Sequence, residues 1–63
     1  MKNLTEKINN AKTTIELDEI IESTSLCLDG ETYEDSSIRH EANGDRKEAE
    51  LMHLAETKWF ELN

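Results

Sequence analysis

The chain carries one cysteine and two histidines, the residue types that most often supply a nucleophile and its general base. Cys27 is far in sequence from both His40 and His53, and the carboxylates around it disfavour the reactive thiolate. A free cysteine on the edge of an apolar helix face is usually buried as a small apolar residue. We therefore expect Cys27 to be a half-buried structural thiol.

The spacing of the polar residues gives little support to metal or phosphate binding. The acidic segment 29–35 could hold Ca²⁺ loosely, but it lacks the alternating ligands and central glycine of an EF-hand. His53 and Glu56 stand one helical turn apart and give two ligands, whereas structural zinc takes four. Gly30 and Gly44 are isolated, unlike the clustered glycines of phosphate-binding loops. We expect no metal and no cofactor, and we expect His53 to lie on the surface.

Neighbouring carboxylates, such as Glu34 with Asp35 or those around Asp18, could form a pair of general acid and general base. Such pairs work where a cleft raises the pKa of one partner. A chain of 63 residues has little length with which to build a cleft. We therefore expect no catalytic residues and no enzyme activity.

The formal net charge is −8, and most of the acidic excess lies in the middle of the chain. No basic residue occurs between Lys12 and Arg39. The carboxylates between them are Glu16, Asp18, Glu19, Glu22, Asp29, Glu31, Glu34 and Asp35. Like charges at this density repel one another and must face water or a cationic partner. Direct binding to nucleic acid or to an anionic membrane is disfavoured, because phosphate contacts draw on Lys and Arg.

The length indicates a single small helical domain over residues 1–63 with a thin core. Domains of this size usually need a staple or a partner, and a lone cysteine cannot form an intramolecular disulfide. We therefore expect a homodimer. The N-terminal residues lack an apolar signal core, and no run reaches the ~20 apolar residues of a membrane span. A cytoplasmic location is expected, and the free thiol agrees with it.

The N-terminal part predicts two consecutive helices. The first begins at a capping pair, Asn3 with Glu6. One apolar stripe at helical spacing follows, formed by Leu4, Ile8, Ala11 and Ile15. Thr13 stands three residues before Glu16, the spacing of a second capping pair, so we expect the chain to turn over residues 12–14.

The second helix has an apolar arc opposite its acidic side chains. The arc is formed by Leu17, Ile20, Ile21, Thr24 and Leu28. Asp29 with Gly30 predicts the end of this helix, and residues 31–37 are expected to form a polar loop. Tyr33 is expected to fold back from this loop onto the core, and Ser36 or Ser37 to cap the next helix.

Residues 38–62 contain no proline and could form one helix or two. We expect a break, because Asn43 with Gly44 is a good helix stop and Asp45 with Glu48 is a good restart. The last helix is strongly amphipathic, and Phe60 points away from its apolar face. That face is formed by Leu51, Met52, Leu54, Ala55, Trp59 and Leu62.

The expected fold is all-α, a small bundle of three helices or of four short ones. It has a helical hairpin at the N-terminus and an amphipathic helix at the C-terminus. Residues 8–17 (INNAKTTIEL) resemble the link between the second and third helices of bacterial albumin-binding three-helix modules. The resemblance implies a helical hairpin, and no albumin-binding residue is carried over.

The adjacent aromatic residues Trp59 and Phe60 indicate a contact surface. Neighbours on a helix point about 100° apart, so a thin bundle can hardly bury both rings. Exposed aromatic residues are enriched at binding hot spots, which makes Phe60 with Leu62 a candidate contact patch or the seam of a dimer. The candidate interaction surface comprises Trp59, Phe60, Leu62, Glu16, Asp18, Glu19 and Glu22.

The proline-free, acidic and helical character of a chain this short resembles the early-region proteins of lambdoid temperate bacteriophages, encoded between the exonuclease and excisionase genes. The resemblance implies a modulator of phage development or of host machinery. We expect a non-enzymatic regulatory or adaptor protein that binds a protein with a basic or apolar surface. One alternative is a DNA-mimic inhibitor whose carboxylates occupy a nucleic-acid-binding site. A helix-turn-helix regulator, the other alternative, would read DNA through Arg39, His40, Arg46 and Lys47.

Overall fold

The computed structural model describes residues 3–63, and over this range the chain forms four α-helices and no strand. The helices are α1 (Leu4–Asn10), α2 (Thr14–Glu22), α3 (Tyr33–Ala42) and α4 (Arg46–Leu62). The predicted all-α class is confirmed. The expectation of a missing apolar signal core, so far as it involves Met1 and Lys2, lies outside the described residues. None of the helices in residues 3–63 has the length and apolar character needed to cross a membrane.

The predicted starts of the first two helices are confirmed. The Asn3 side chain accepts a hydrogen bond from the Glu6 amide at 2.9 Å, and Thr13 Oγ1 accepts one from the Glu16 amide at 3.0 Å. Between these caps the backbone of Ala11 is extended, with ψ at 135°. This extended residue interrupts the helical phase, so Ile15 does not continue the stripe of α1 as predicted and is 70% exposed.

α2 ends at Glu22, well before the predicted stop at Asp29 and Gly30. The hydroxyls of Ser23 and Thr24 donate back to the carbonyls of Ile20 and Ile21, at 2.7 and 2.6 Å. Such bonds compete with the helical ladder, and Ser25 then adopts a left-handed conformation with φ at 60°. Leu28 therefore lies outside the helix and is 57% exposed, contrary to its predicted place in the apolar arc.

α3 begins at Tyr33, so the prediction of a loop over residues 31–37 is wrong from that residue onward. Thr32, and neither of the predicted serines, caps the helix by accepting a hydrogen bond from the Asp35 amide at 3.1 Å. Glu34 and Asp35 place negative charge in the first turn, where the helix dipole favours it. Ser36 is fully buried instead.

α3 and α4 form a helical hairpin, and the predicted break between them is confirmed. Asn43 ends α3, Gly44 takes the left-handed conformation with φ at 81°, and α4 begins after Asp45. A hydrogen bond from Ser37 Oγ to the Ala49 carbonyl, 3.1 Å long, joins the two helices. The Asp45 side chain makes no capping hydrogen bond within the described chain, and Oδ2 lies 3.5 Å from Nδ1 of His40.

The core lies between α4 and the other helices, each of which packs against it. Its buried apolar cluster is formed by Ile8, Ala11, Leu17, Ile21, Met52 and Ala55. The predicted apolar face of α4 is confirmed, because Met52 and Ala55 are fully buried and its remaining members pack around them. α4 therefore organises the bundle, because it contacts each of the other three helices.

One backbone carbonyl fixes the connection between α2 and α3. The Leu26 oxygen accepts hydrogen bonds from Ser36 Oγ at 2.9 Å and from Arg39 Nη2 at 2.9 Å. His40 Nε2 lies 2.8 Å from the same oxygen, a distance at which an Nε2–H donates to it. Three side chains of α3 thus hold the loop in place.

Candidate functional site

The chain has one tyrosine, one tryptophan and one phenylalanine, and all three line a single groove. The groove has a volume of about 360 Å³ and lies where the start of α3 faces the last turns of α4, with one residue from α2. It is lined by Asp18, Glu31, Thr32, Tyr33, Glu34, Glu56, Trp59 and Phe60. Aromatic residues from two helices and carboxylates from three parts of the chain therefore meet at one place.

The aromatic wall is built mainly by α4. Trp59 is half-buried and packs against the core, whereas Phe60 is 67% exposed. Their ring centroids lie 5.6 Å apart at an interplanar angle of 87°, an edge-to-face pair. The predictions that one ring of the pair is exposed and that Phe60 points away from the core are confirmed.

Four carboxylates surround this wall, and two of them already have partners within the protein. Asp18 Oδ1 accepts a hydrogen bond from the Tyr33 hydroxyl. Glu31 accepts from Arg39 Nε at 2.9 Å and from Nη2 at 3.1 Å. Glu56 Oε1 lies 4.0 Å from His53 Nδ1, beyond hydrogen-bonding distance. Glu34 has neither a hydrogen bond nor an ion pair to its side chain from any residue in the range 3–63.

The surroundings of Tyr33 and Glu31 move the pKa of each residue further from neutral pH. Burial, followed by the hydrogen bond and the charge of Asp18, raises the pKa of Tyr33 well above its ordinary value of 10.0. The hydrogen bond from Arg39, followed by one from the Leu28 amide, lowers the pKa of Glu31 below its ordinary value. At neutral pH Tyr33 is thus a neutral hydrogen-bond donor and Glu31 an anion.

The predicted interaction residues divide into three groups. Trp59, Phe60 and Asp18 come together in the groove. Leu62 is half-buried and packs against the core. The other three, which are exposed on α2 and do not line the groove, are Glu16, Glu19 and Glu22.

The predicted interaction surface lacks five members of the groove, which are Glu31, Thr32, Tyr33, Glu34 and Glu56. Glu56 stands four residues before Phe60 on a helix, a spacing that places two side chains side by side and could have linked them. Tyr33 and Glu34 carried no such signal, because their position depends on where α3 begins and on how α3 packs against α4.

The predictions for Cys27 and His53 are confirmed, since Cys27 is half-buried and His53 is exposed. The Cys27 thiol donates to the Glu31 carbonyl, with the sulfur 3.1 Å from the oxygen. Burial, followed by the charge of Glu31, raises the pKa of Cys27 above its ordinary value of 9.0, so the thiol is protonated at neutral pH. Cys27 lines a second, smaller cavity of about 190 Å³, which lies between α2 and the following loop.

The four basic residues of the helix-turn-helix alternative have different surroundings. Arg39 is held by Glu31 and by the Leu26 carbonyl, and His40 is only 7% exposed. Arg46 and Lys47, at the start of α4, are exposed. Two of the four side chains are therefore committed to contacts inside the protein.

Comparisons with known proteins add no family to this description. The chain matches no protein-family model, no curated protein and no solved structure. In the part of the chain that the structure describes, no three His, Cys, Asp or Glu side chains are grouped so that they could hold a metal ion. Function is therefore inferred from the shape of the groove and the charge around it.

Proposed function

We propose that this chain is a small, acidic, non-enzymatic regulatory or adaptor protein that acts by binding another protein. The observation that carries the proposal is the groove, in which every aromatic residue of the chain lines one concave surface. Aromatic residues in such surfaces dominate the energetics of many interfaces. Phe60 is the aromatic residue of the groove that is most accessible to a partner, because most of its side chain faces solvent.

The surfaces that we propose for the partner are the acidic face of α2 and the apolar faces of the first and last helices, α1 and α4. Asp18 connects the first of these surfaces to the groove. The exposed carboxylates Glu16, Glu19 and Glu22 extend the negative surface along α2. The partner that we propose therefore has a basic or apolar surface.

Self-association as a homodimer is part of the proposal. Among residues 3–63, the large apolar side chains that are more than half exposed are Ile15, Leu28, Ile38 and Phe60. Apolar side chains left in water favour burial against a second copy, as is common for domains too small to build a large core.

The setting that we propose is the cytoplasm of a bacterial host. The resemblance to early-region proteins of temperate phages supports a role in phage development or in control of host machinery. It assigns no individual residue.

Affinity capture with matched variants tests the proposal. The chain is immobilised in three forms, wild type, Phe60→Ser and Ile38→Ser, and exposed to extract of the native host. Phe60 and Ile38 are similarly exposed, at 67% and 58%, but only Phe60 lines the groove. We expect one protein that the wild type and the Ile38 variant retain and the Phe60 variant loses. Retention that is equal in all three forms would contradict a role for the groove.

A DNA-mimic inhibitor is the second candidate. It is supported by the four exposed carboxylates on one side of α2, formed by Glu16, Asp18, Glu19 and Glu22. Such a protein would bind a basic nucleic-acid site with an affinity that falls steeply as salt is added. Charge reversal of these residues should abolish that binding, and binding that survives reversal would contradict the candidate.

A helix-turn-helix regulator is the third candidate and has the least support. Arg39 and His40 contribute to the internal contacts of the Leu26 carbonyl, which leaves Arg46 and Lys47 as its exposed cations. A salt-titrated DNA shift assay with Arg39, Arg46 and Lys47 changed to alanine tests it. A shift that disappears in the triple variant would support DNA binding.

A further inference from the structure

We infer that the groove binds a cationic side chain, a lysine or an arginine, presented by a basic segment of the partner protein. The inference rests on the proposed function and adds the chemistry by which the partner is recognised. It follows from three properties of the groove: its aromatic wall, the unpaired charge at its rim and its size.

The aromatic wall suits a cation. The faces of aromatic rings carry partial negative charge and attract ammonium and guanidinium groups, and tryptophan does so most strongly. Trp59 and Phe60 meet edge to face, so their two ring planes lie nearly at right angles. A flat guanidinium can stack on one of these planes, whereas a compact ammonium cannot. We therefore expect arginine to bind more tightly than lysine.

The rim supplies charge of the opposite sign to that of the proposed side chain. Asp18 and Glu31 are engaged by Tyr33 and Arg39, but Glu34 has no partner among residues 3–63 and Glu56 has only a distant one. No lysine or arginine of the described chain lines the groove. Within the described residues, neither Glu34 nor Glu56 is therefore paired with a lysine or an arginine.

Other kinds of occupant fit less well. An anionic ligand would be repelled by the rim. A neutral apolar ligand would cover the carboxylates and remove them from water without offering them a hydrogen bond. The volume, about 360 Å³, lies at the lower end of the about 300–1,000 Å³ of ligand sites, enough for one long side chain and the backbone that carries it.

Trp59 makes the inference directly measurable. It is the only tryptophan and it lines the groove, so intrinsic tryptophan fluorescence reports on this one residue. The probe is a short capped peptide of glycine and serine with arginine at alternate positions. The first control peptide carries citrulline, which keeps the shape of arginine but has no charge, and the second carries lysine.

We expect the arginine peptide to change the Trp59 fluorescence in a saturable way. We expect the citrulline peptide to bind at least about tenfold more weakly, since it lacks both the ion pairs and the cation–aromatic attraction. The affinity for arginine should fall as salt is added.

Two matched pairs of variants locate the binding. Phe60→Ala should weaken binding about five- to tenfold, whereas Ile38→Ala should leave it unchanged. Glu34→Gln should weaken binding about two- to fivefold, whereas Asp35→Asn should not. Asp35 is the matched control because it is the next residue in the same helical turn and its change also removes one carboxylate. Circular dichroism checks that each variant keeps its helix content.

Several outcomes would overturn the inference. Equal binding of the citrulline and arginine peptides would make the groove an apolar docking site. Equal loss on changing Asp35 and Glu34 would mean diffuse attraction to an acidic surface. The occupant of the groove would instead be a second copy of the chain. This is the result if Phe60→Ala abolishes self-association and the arginine peptide does not dissociate the two copies. A partner captured through Phe60, together with no response to any peptide, would overturn the cationic inference and leave the proposed function standing.

Discussion

The hydroxyl of Tyr33 donates a hydrogen bond to Oδ1 of Asp18, which joins the first residue of α3 to the exposed face of α2. The two residues are fifteen positions apart in sequence. Their contact closes one side of the groove and brings the acidic helix next to the aromatic wall.

The ionisation of Tyr33 gives the first prediction. It is the only tyrosine, so the ultraviolet absorbance of tyrosinate follows this residue alone. We expect Tyr33 to ionise well above pH 10.0, because burial and then Asp18 raise its pKa. In Asp18→Asn the pKa should fall only part of the way back, since burial is the larger cause. Ionisation of the wild type at the ordinary value would contradict this contact.

The same shift has a consequence for stability. The unfolded chain releases the Tyr33 proton near pH 10.0 and the folded chain does so at higher pH. The contribution of Tyr33 to the free energy of unfolding is therefore complete below pH 10.0 and is lost as the pH rises above it. Urea unfolding of Tyr33→Phe should lack this part of the alkaline loss. Cys27→Ser is measured beside it, because the raised pKa of Cys27 also makes the protein lose stability as the pH rises. The comparison separates the part of the loss that belongs to Tyr33.

The hydrogen bonds to the Leu26 carbonyl give the second prediction. Ser36→Ala removes one of three donors at a fully buried position and should lower the free energy of unfolding by about 1 kcal/mol. Ser23→Ala is the matched control, because the exposed Ser23 hydroxyl bonds only to its own helix. Its cost should stay below about 0.5 kcal/mol. Equal costs in thermal or urea unfolding would show that the hydrogen bond to the Leu26 carbonyl adds no more stability than a bond on the surface.

Two isoleucines give the third prediction. Ile8 is fully buried, whereas Ile15, which the sequence predicts in the same stripe, is 70% exposed. Ile8→Val should cost about 0.5–1.5 kcal/mol of unfolding free energy, and Ile15→Val less than about 0.5 kcal/mol. A larger cost at Ile15 would mean that α1 continues through Ala11.

Gly44 gives the fourth prediction. Its φ of 81° is rarely adopted by residues with a side chain, although an added Cβ would meet no atom of the described chain within 4 Å. Gly44→Ala should therefore cost about 1 kcal/mol through backbone strain alone. Gly44→Asn should cost less, because asparagine tolerates the left-handed conformation better. Urea unfolding measures both costs, and an asparagine variant no more stable than the alanine variant would contradict backbone strain as the cause.

The oligomeric state gives the fifth prediction. We expect sedimentation equilibrium at micromolar concentration to show a dimer that dissociates on dilution. Ile38→Ser and Phe60→Ser, changed one at a time, then show which exposed apolar side chain lies in the interface. A monomer over the whole concentration range would remove self-association from the proposed function.

Local signals made the helix starts predictable. Asn3 and Thr13 bond to amides three residues ahead, and Gly44 provides the conformation that a tight turn requires. Each of these features depends on a few neighbouring residues. The same is true of the exposure of Phe60, which follows from its angle to Trp59 on one helix.

The end of α2 and the groove depend on competition and on distant contacts. Gly30 is a plausible helix stop, but the hydroxyls of Ser23 and Thr24 end the helix before the chain reaches it. The groove needs Tyr33 beside Asp18, a pairing that no spacing along the sequence encodes. The end of α2 is thus decided by local hydrogen bonds, whereas the Tyr33–Asp18 pairing depends on the packing of α2 and α3 against α4.

The Leu26 carbonyl also bears on how fast a partner can bind. Its three donors come from α3, the helix whose first turn supplies Tyr33 and Glu34 to the groove. The α3 side of the groove is therefore held in place before a partner docks, which limits the conformational entropy lost there on binding. Under the proposed function the association rate is set by diffusional encounter, which opposite charge accelerates, rather than by a folding step.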